Sequence, residues 1–214
     1  MAAEAFSSGA YWQARYLAGG NSGAGSYGRL GRFKADFLNG FIALNRIAGV
    51  IDFGCGDGAV LSLLDVPRYL GVDASREAVA RCKARFRDRP ALRFAAPDAL
   101  AQEDAAPLAL SLDVMFHLCE DAVFAAYLEQ LFRFALDYVI IYSSNVEART
   151  ADPHVRHRRF SAAIAGRFAD WRLLALVPNA YPYHPAQPEA TSFCDFFVYG
   201  RQGSGCQIAV PRAG

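Results

Sequence analysis

Apolar residues follow two rhythms along this chain. In RLGRFKADFLNGFIALNRI, residues 29–47, Leu30, Phe33, Phe37, Phe41 and Leu44 recur at spacings of three and four, the period of a helix with one buried face. GVIDFGCGDGAV then changes the rhythm: a short apolar run enters a glycine turn, as a buried strand does, and AVLSLL reads as the start of a helix. RYLGVDAS predicts a second strand ending at Asp73, and residues 76–87 predict a helix. LRFAAPD predicts a third strand ending near Asp98, and PLALSLDVMF a fourth running through Asp113. EDAVFAAYLEQLFRFAL predicts a long helix with Val123, Tyr127, Leu131 and Phe134 on one face, and DYVIIYSSN a fifth strand, the most apolar of all. DPHVRHRRFSAAIAGRF predicts a helix with Asp152 as N-cap and Pro153 in the first turn. WRLLALVPN and TSFCDFFVYGR predict the last two strands, joined by the proline-rich AYPYHPAQPEA with no helical pattern between them.

Strands that alternate with helices imply a parallel, doubly wound α/β sheet. The final pair breaks the alternation and is expected to pair antiparallel at the sheet edge. No repeat or linker divides the 214 residues, so the chain reads as one domain: 1–48 form an N-terminal flap and helix packed on a core of 49–214. A formal net charge of +1 removes any general call for nucleic acid or an acidic membrane. Five scattered cysteines without metal-ligand spacing read as thiols in a reducing compartment, and no metal is expected. MAAEAFSSGAYW lacks a charged segment and an apolar core, so no secretory signal is expected, and the apolar runs are too short to span a bilayer. The expected location is the cytoplasm.

Two glycine-rich stretches compete for a ligand. GGNSGAGSYG, residues 19–28, contains G-x-G-x-x-G at Gly23, Gly25 and Gly28, but no strand runs into it. A phosphate-binding loop also needs a lysine where Ser26 stands. The stretch reads as surface loop or as a mobile flap over a site built elsewhere. The second stretch, Gly54–Gly58, has its strand. Asp73, 19 residues after Gly54, ends the next strand, where an acid accepts both hydroxyls of a ribose. Asp52 stands ready for an ammonium, and Asp98 for an adenine amino group. A nicotinamide dehydrogenase fits less well, because G-x-G-x-G is followed here by Ala59 and Val60 without the last spaced glycine.

This constellation resembles the class I S-adenosylmethionine-dependent methyltransferases. IDFGCGDG is similar to their first motif, LGVDAS to their ribose-binding acid, FAAPDA to their adenine-edge acid and SLDVMFHLCED to their strand-four motif. The resemblance implies a seven-stranded, mostly parallel Rossmann-like sheet with the last strand antiparallel, and S-adenosylmethionine as cofactor. It implies a donor site of Tyr11, Trp12, Asp52, Gly54, Cys55, Gly56, Asp73, Ala74, Asp98 and Ala99. YWQARY is similar to the family's lead segment, so Tyr11, Trp12 and Tyr16 are expected to cover the donor, with Ser22 and Ser26 near its carboxylate. YWQARYLAGGNSGAGSYGRLGRFK, VIIYSSN and HVRHRRF resemble a bacterial subgroup of uncertain substrate, with some link to glycan assembly.

Methyl transfer to a hydroxyl needs alignment and removal of a proton. The candidate bases are Asp113, His117, Glu147, His154 and His157, with His154 and His157 sharing a face if a helix starts at Asp152. Arg156 and Arg159 are candidates for holding an anionic acceptor at that helix start, the alternative being a plain solvated face. No DNA substrate is expected: LDVMFH stands where amino-DNA methyltransferases carry an Asn/Asp-Pro-Pro-Tyr motif, NAYPY follows strand six, and no Pro-Cys pair is present. Arg81, Lys83, Arg85, Arg87 and Arg89 read as a solvated helix face. The acceptor left is a small polar or anionic molecule, a sugar or glycan intermediate first among them. A protein or RNA acceptor, or a non-catalytic cofactor-binding module, remains the alternative, and the oligomeric state is open.

Overall fold

The computed structural model describes residues 6–210. The stretch read for a secretory signal begins with residues 1–5, which lie outside that range.

The apolar runs form one seven-stranded sheet in the order β3-β2-β1-β4-β5-β9-β8. Its members are β1 (Val50–Phe53), β2 (Tyr69–Val72), β3 (Leu92–Ala95), β4 (Ala106–Leu112), β5 (Ala135–Ser143), β8 (Trp171–Val177) and β9 (Asp195–Arg201). A two-stranded ribbon, β6 (Ala148–Arg149) and β7 (Arg156–His157), stands apart from it. The first five strands of the sheet run parallel, and β9 inserts antiparallel between β5 and β8. The chain winds outward from β1 to β3 and returns to β4 beside β1, so the sheet's switch point lies between β1 and β4, where open α/β sheets bind ligands.

Strand alternation distributes β1 over two cores. Ile51 and Phe53 join the side of α4 (Asp121–Arg133) and α5 (Phe160–Arg167), packing with Leu128, Leu131 and Phe160. Val50 faces the opposite layer, where α2 (Gly28–Leu44) buries Phe33, Phe37 and Phe41. Phe37 stacks on Phe196 of β9 at 4.1 Å, tying the N-terminal helix to the last strand. Two further helices, α1 (Ser8–Leu17) and α3 (Arg76–Arg85), complete the set among the described residues. AYWQARYLA is therefore helical, with the Ser7 side chain accepting from the Ala10 amide at 3.3 Å.

Three expectations change. AVLSLL forms only a single 3-10 turn, Leu61–Leu63. The Asn39 side chain of α2 donates to the Leu63 carbonyl and accepts from the Asp65 amide, closing the turn before the short run to β2. In α4 the buried face carries Phe124, Leu128, Leu131 and Phe132, while Val123 is exposed. That helix is apolar on more than one face, so periodicity alone does not choose between them. No helix starts at Asp152: 156–157 are extended and pair with 148–149, and α5 begins at Phe160 with Arg159 as its cap. The cause is tertiary. Arg158 donates to the Leu118 and Cys119 carbonyls and to Asp121, and Arg156 to Cys119 and Asp121, which draws the segment out across the start of α4.

Candidate functional site

The site grows from the ends of three strands. After β1 the backbone turns through left-handed conformations at Gly54 (φ 85°) and Gly56 (φ 57°), which side chains disfavour. A Cβ on Gly54 would lie 2.3 Å from Val114, and one on Gly56 2.2 Å from the Ser22 hydroxyl. Asp73, at the end of β2, accepts from the Gly56 amide at 2.9 Å and the Ser75 amide at 2.8 Å. Burial pushes its carboxyl above the usual range, against those two bonds. Asp52 is buried and accepts from the Tyr69 hydroxyl at 2.6 Å through Oδ2. Its Oδ1 is buried with no hydrogen-bond partner among the described residues. Burial, assisted by the charge of Asp73, pushes this carboxyl up to about 6.

Helix α1 roofs these strand ends. The Ser8 amide donates to Glu120 at 2.8 Å, the Ser8 hydroxyl also donates to Glu120, and it accepts from the Cys119 amide at 3.1 Å. Gln13 accepts from the Ser75 hydroxyl, and Arg81 of α3 donates to the Tyr16 and Gly20 carbonyls. The first glycine stretch follows the roof down onto the second. Ser22 shares a hydrogen bond with the Tyr16 hydroxyl and accepts from the Asp57 amide at 3.0 Å, while its own amide donates to the Asp57 carboxylate at 3.1 Å. Burial works against the Asp57 charge, but the bonds from Tyr27, Ser22 and Ala59 hold its carboxyl below the usual range. The G-x-G-x-x-G of residues 23–28 is thus a strap over the other glycine turn.

Between roof and strands lies a cavity of about 440 Å³. Trp12, Asp52, Gly54, Cys55, Gly56, Asp73, Ala74, Asp113 and His117 line it, together with Tyr16, Ser22 and Ser26. Tyr11, Asp98 and Ala99 do not. Tyr11 stacks on His154 at 4.6 Å. The Asp98 side chain is 68% exposed and pairs with Arg76 at 3.0 Å, leaving Pro97 to line the cavity.

At the β4 end, Asp113 adopts a left-handed conformation (φ 58°) and accepts from the buried Lys34 ammonium. His117 Nδ1 meets the His154 carbonyl at 3.0 Å. A carbonyl only accepts, so Nδ1 carries the proton and Nε2 is the unprotonated nitrogen. Burial pushes this imidazole down to about 4, so it is neutral near pH 7. His154 offers its backbone here, with its ring stacked between Tyr11 and His117. His157 lies off the cavity, bonded to the Ser144 hydroxyl at 2.6 Å and packed edge-on against Phe193. Arg156 is committed to Cys119 and Asp121, and Glu147 accepts from the Arg159 amide at 3.3 Å. His154 and His157 therefore share no helix face, and Arg156 braces the loop before α4.

Sequence reading missed Lys34, Ser8 and Glu120. Lys34 had a signal: it sits four residues from both Leu30 and Leu38 on the apolar face of a helix, and it is one of only two lysines in the chain. Ser8 and Glu120 are 112 positions apart and carry none.

Residues 50–135 match a family described as a methyltransferase domain. No curated protein sequence matches the chain. Solved structures that resemble it include magnesium protoporphyrin IX methyltransferase from Synechocystis with bound S-adenosylmethionine (TM-score 0.65, 15% identity, 94% of this chain and 100% of that one). N-methyltransferase NodS from Bradyrhizobium japonicum with S-adenosyl-L-homocysteine gives a TM-score of 0.60 at 15% identity, over 82% of this chain and 88% of that one. An S-adenosylmethionine-dependent methyltransferase from Clostridium acetobutylicum gives 0.60 at 14% identity, over 80% and 92%. At these identities the likeness is one of fold.

Proposed function

We propose that this chain is a class I S-adenosylmethionine-dependent methyltransferase, a reading supported by the methyltransferase-domain match over residues 50–135, and that it methylates a hydroxyl of a small polar acceptor, a sugar or the end of a glycan. The residues present fit the donor. Asp52 Oδ1 is a buried acceptor without a partner among the described residues, suited to an ammonium, and Asp73 presents a carboxylate beside bare glycine backbone, suited to a ribose diol. When bound, the donor supplies a methyl carbon made electrophilic by its sulfonium: the acceptor oxygen bonds to it, the carbon–sulfur electron pair stays on sulfur, and the hydroxyl proton is released to a base.

The chain's own part is to bind, orient and shield. Trp12 and Tyr16 cover the cavity, and the Ser8–Glu120 bonds hold their helix down. Neutral His117, its tautomer fixed by the His154 carbonyl, offers Nε2 to receive a hydrogen bond from the acceptor hydroxyl and orient it. Burial, which pushes the imidazole down to about 4, makes it a weak base, so the proton passes on to solvent as the new bond to carbon forms. The observation that carries the small-acceptor reading is this roof: α1 and the glycine strap cover the strand ends, leaving the acceptor to present little more than its reacting group.

The test is transfer of radiolabelled methyl from S-adenosylmethionine to separate panels of sugars, phosphosugars, total RNA and protein extract. Label in the sugar or glycan panel, lost in His117→Ala, is the expected result. Label confined to RNA or protein overturns the acceptor assignment.

A further inference from the structure

Lys34 is the least expected residue in the core. Its side chain is 1% exposed, on the buried side of a helix where every other buried residue is apolar or glycine. A lone buried ammonium is strongly disfavoured unless a carboxylate answers it. Asp113 is that carboxylate, and it belongs to the site: it ends β4 and lines the cavity. Three other contacts enclose the pair. The Asp113 amide donates to the Tyr142 carbonyl at 2.9 Å. The Tyr142 ring lies 5.2 Å from the Lys34 ammonium. The strap packs so closely that a Cβ on Gly25 would stand 2.9 Å from the Asp113 carboxylate. The buried Cys194 thiol beside the pair is pushed up by burial and by the Asp113 charge.

Asp73 and Asp113 stand on opposite sides of β1, at the ends of β2 and β4. With the nucleoside against Asp73, the sulfonium end of the donor falls toward Asp113. Methyl transfer to a neutral hydroxyl disperses the positive charge on sulfur. An uncompensated anion nearby would therefore stabilise the bound donor more than the transition state, which slows the step.

We propose that Lys34 is a positioning residue for methyl transfer: its ammonium fixes the Asp113 carboxylate at the sulfonium end of the cavity and offsets its charge, so that the site holds the cationic donor and its neutral product with similar strength. This rests on the methyltransferase reading above. Lys34 touches neither donor nor acceptor and acts through Asp113.

Calorimetry tests it with two probes: S-adenosylhomocysteine, neutral at sulfur, and sinefungin, which carries an amine in place of the methyl-bearing group. In Lys34→Met, sinefungin is expected to gain about tenfold over S-adenosylhomocysteine at pH 8, since an adjacent unscreened charge pair is worth that much or more. Adding Asp113→Asn to Lys34→Met should return the ratio to wild type. An unchanged ratio in Lys34→Met, with S-adenosylhomocysteine still bound, reduces the pair to a core brace and overturns the inference. Failure of the wild-type protein to bind either probe instead overturns the methyltransferase reading. If Lys34→Met does not fold, nitrogen-labelled lysine in the wild type decides: with only two lysines to assign, the Lys34 ammonium signal should shift on sinefungin and move less on S-adenosylhomocysteine, and equal responses overturn the proposal.

Discussion

Asp52 should make the protein less stable as pH rises, and the size of the effect follows from its surroundings. Burial raises its carboxyl from 3.8 to about 6. Between those values the folded chain keeps a proton that the unfolded chain has lost, so stability falls as pH climbs through this window and levels off above it. About two units at roughly 1.4 kcal/mol each gives ~3 kcal/mol in all, of which ~1.4 kcal/mol falls between about pH 5 and pH 7.5. Asp52→Asn keeps the shape and removes the titration. The difference in stability between wild type and variant should therefore change by ~1.4 kcal/mol over that interval, some 3–6 °C in melting temperature for a chain of this size. Thermal unfolding at the two pH values measures it, and subtraction cancels the groups the two proteins share. Saturating S-adenosylmethionine should erase the wild-type slope, because its ammonium meets the unpaired Oδ1 and stabilises the carboxylate. A flat difference curve would refute the reasoning, and a slope that persists with the donor bound would refute the assignment of Oδ1 to its ammonium.

Four further outcomes are expected. Asp73→Ala should weaken S-adenosylhomocysteine by tenfold or more in calorimetry, since each bond to a charged acceptor is worth roughly 1.5–3 kcal/mol. Gly56→Ala should lower donor affinity and melting temperature together, by about 1–2 kcal/mol for the left-handed backbone alone and more for the approach to Ser22. Amide exchange in residues 19–28 should slow when the donor binds, and unchanged exchange at saturation would leave the strap without a part in binding. His117→Gln should remove a loss of stability on acidification: the buried imidazole is neutral in the fold, so stability is full above the ordinary histidine value and falls as pH drops toward about 4.

Much of this protein is legible along the chain. Buried strands announce themselves as short apolar runs, and a glycine turn after the first of them is local chemistry, so the order of strands, the second glycine stretch, Asp52 and Asp73 all follow from neighbours within a few residues. The antiparallel end of the sheet was legible for the same reason, in a proline-rich connection that leaves no room for a crossover helix. Other features depend on partners far away in sequence. The extended segment at Arg156 exists because the 118–121 loop offers carbonyls and a carboxylate to two arginines. Asp98 points outward and pairs with Arg76, 22 positions earlier in the chain. Helix α4, apolar on several faces, was oriented only by the sheet it packs on. The tertiary structure alone brought Lys34 to Asp113, Ser8 to Glu120 and one glycine stretch down onto the other, because charge neutralisation and hydrogen-bond satisfaction act between groups that folding makes adjacent, and no local pattern encodes which pair will meet.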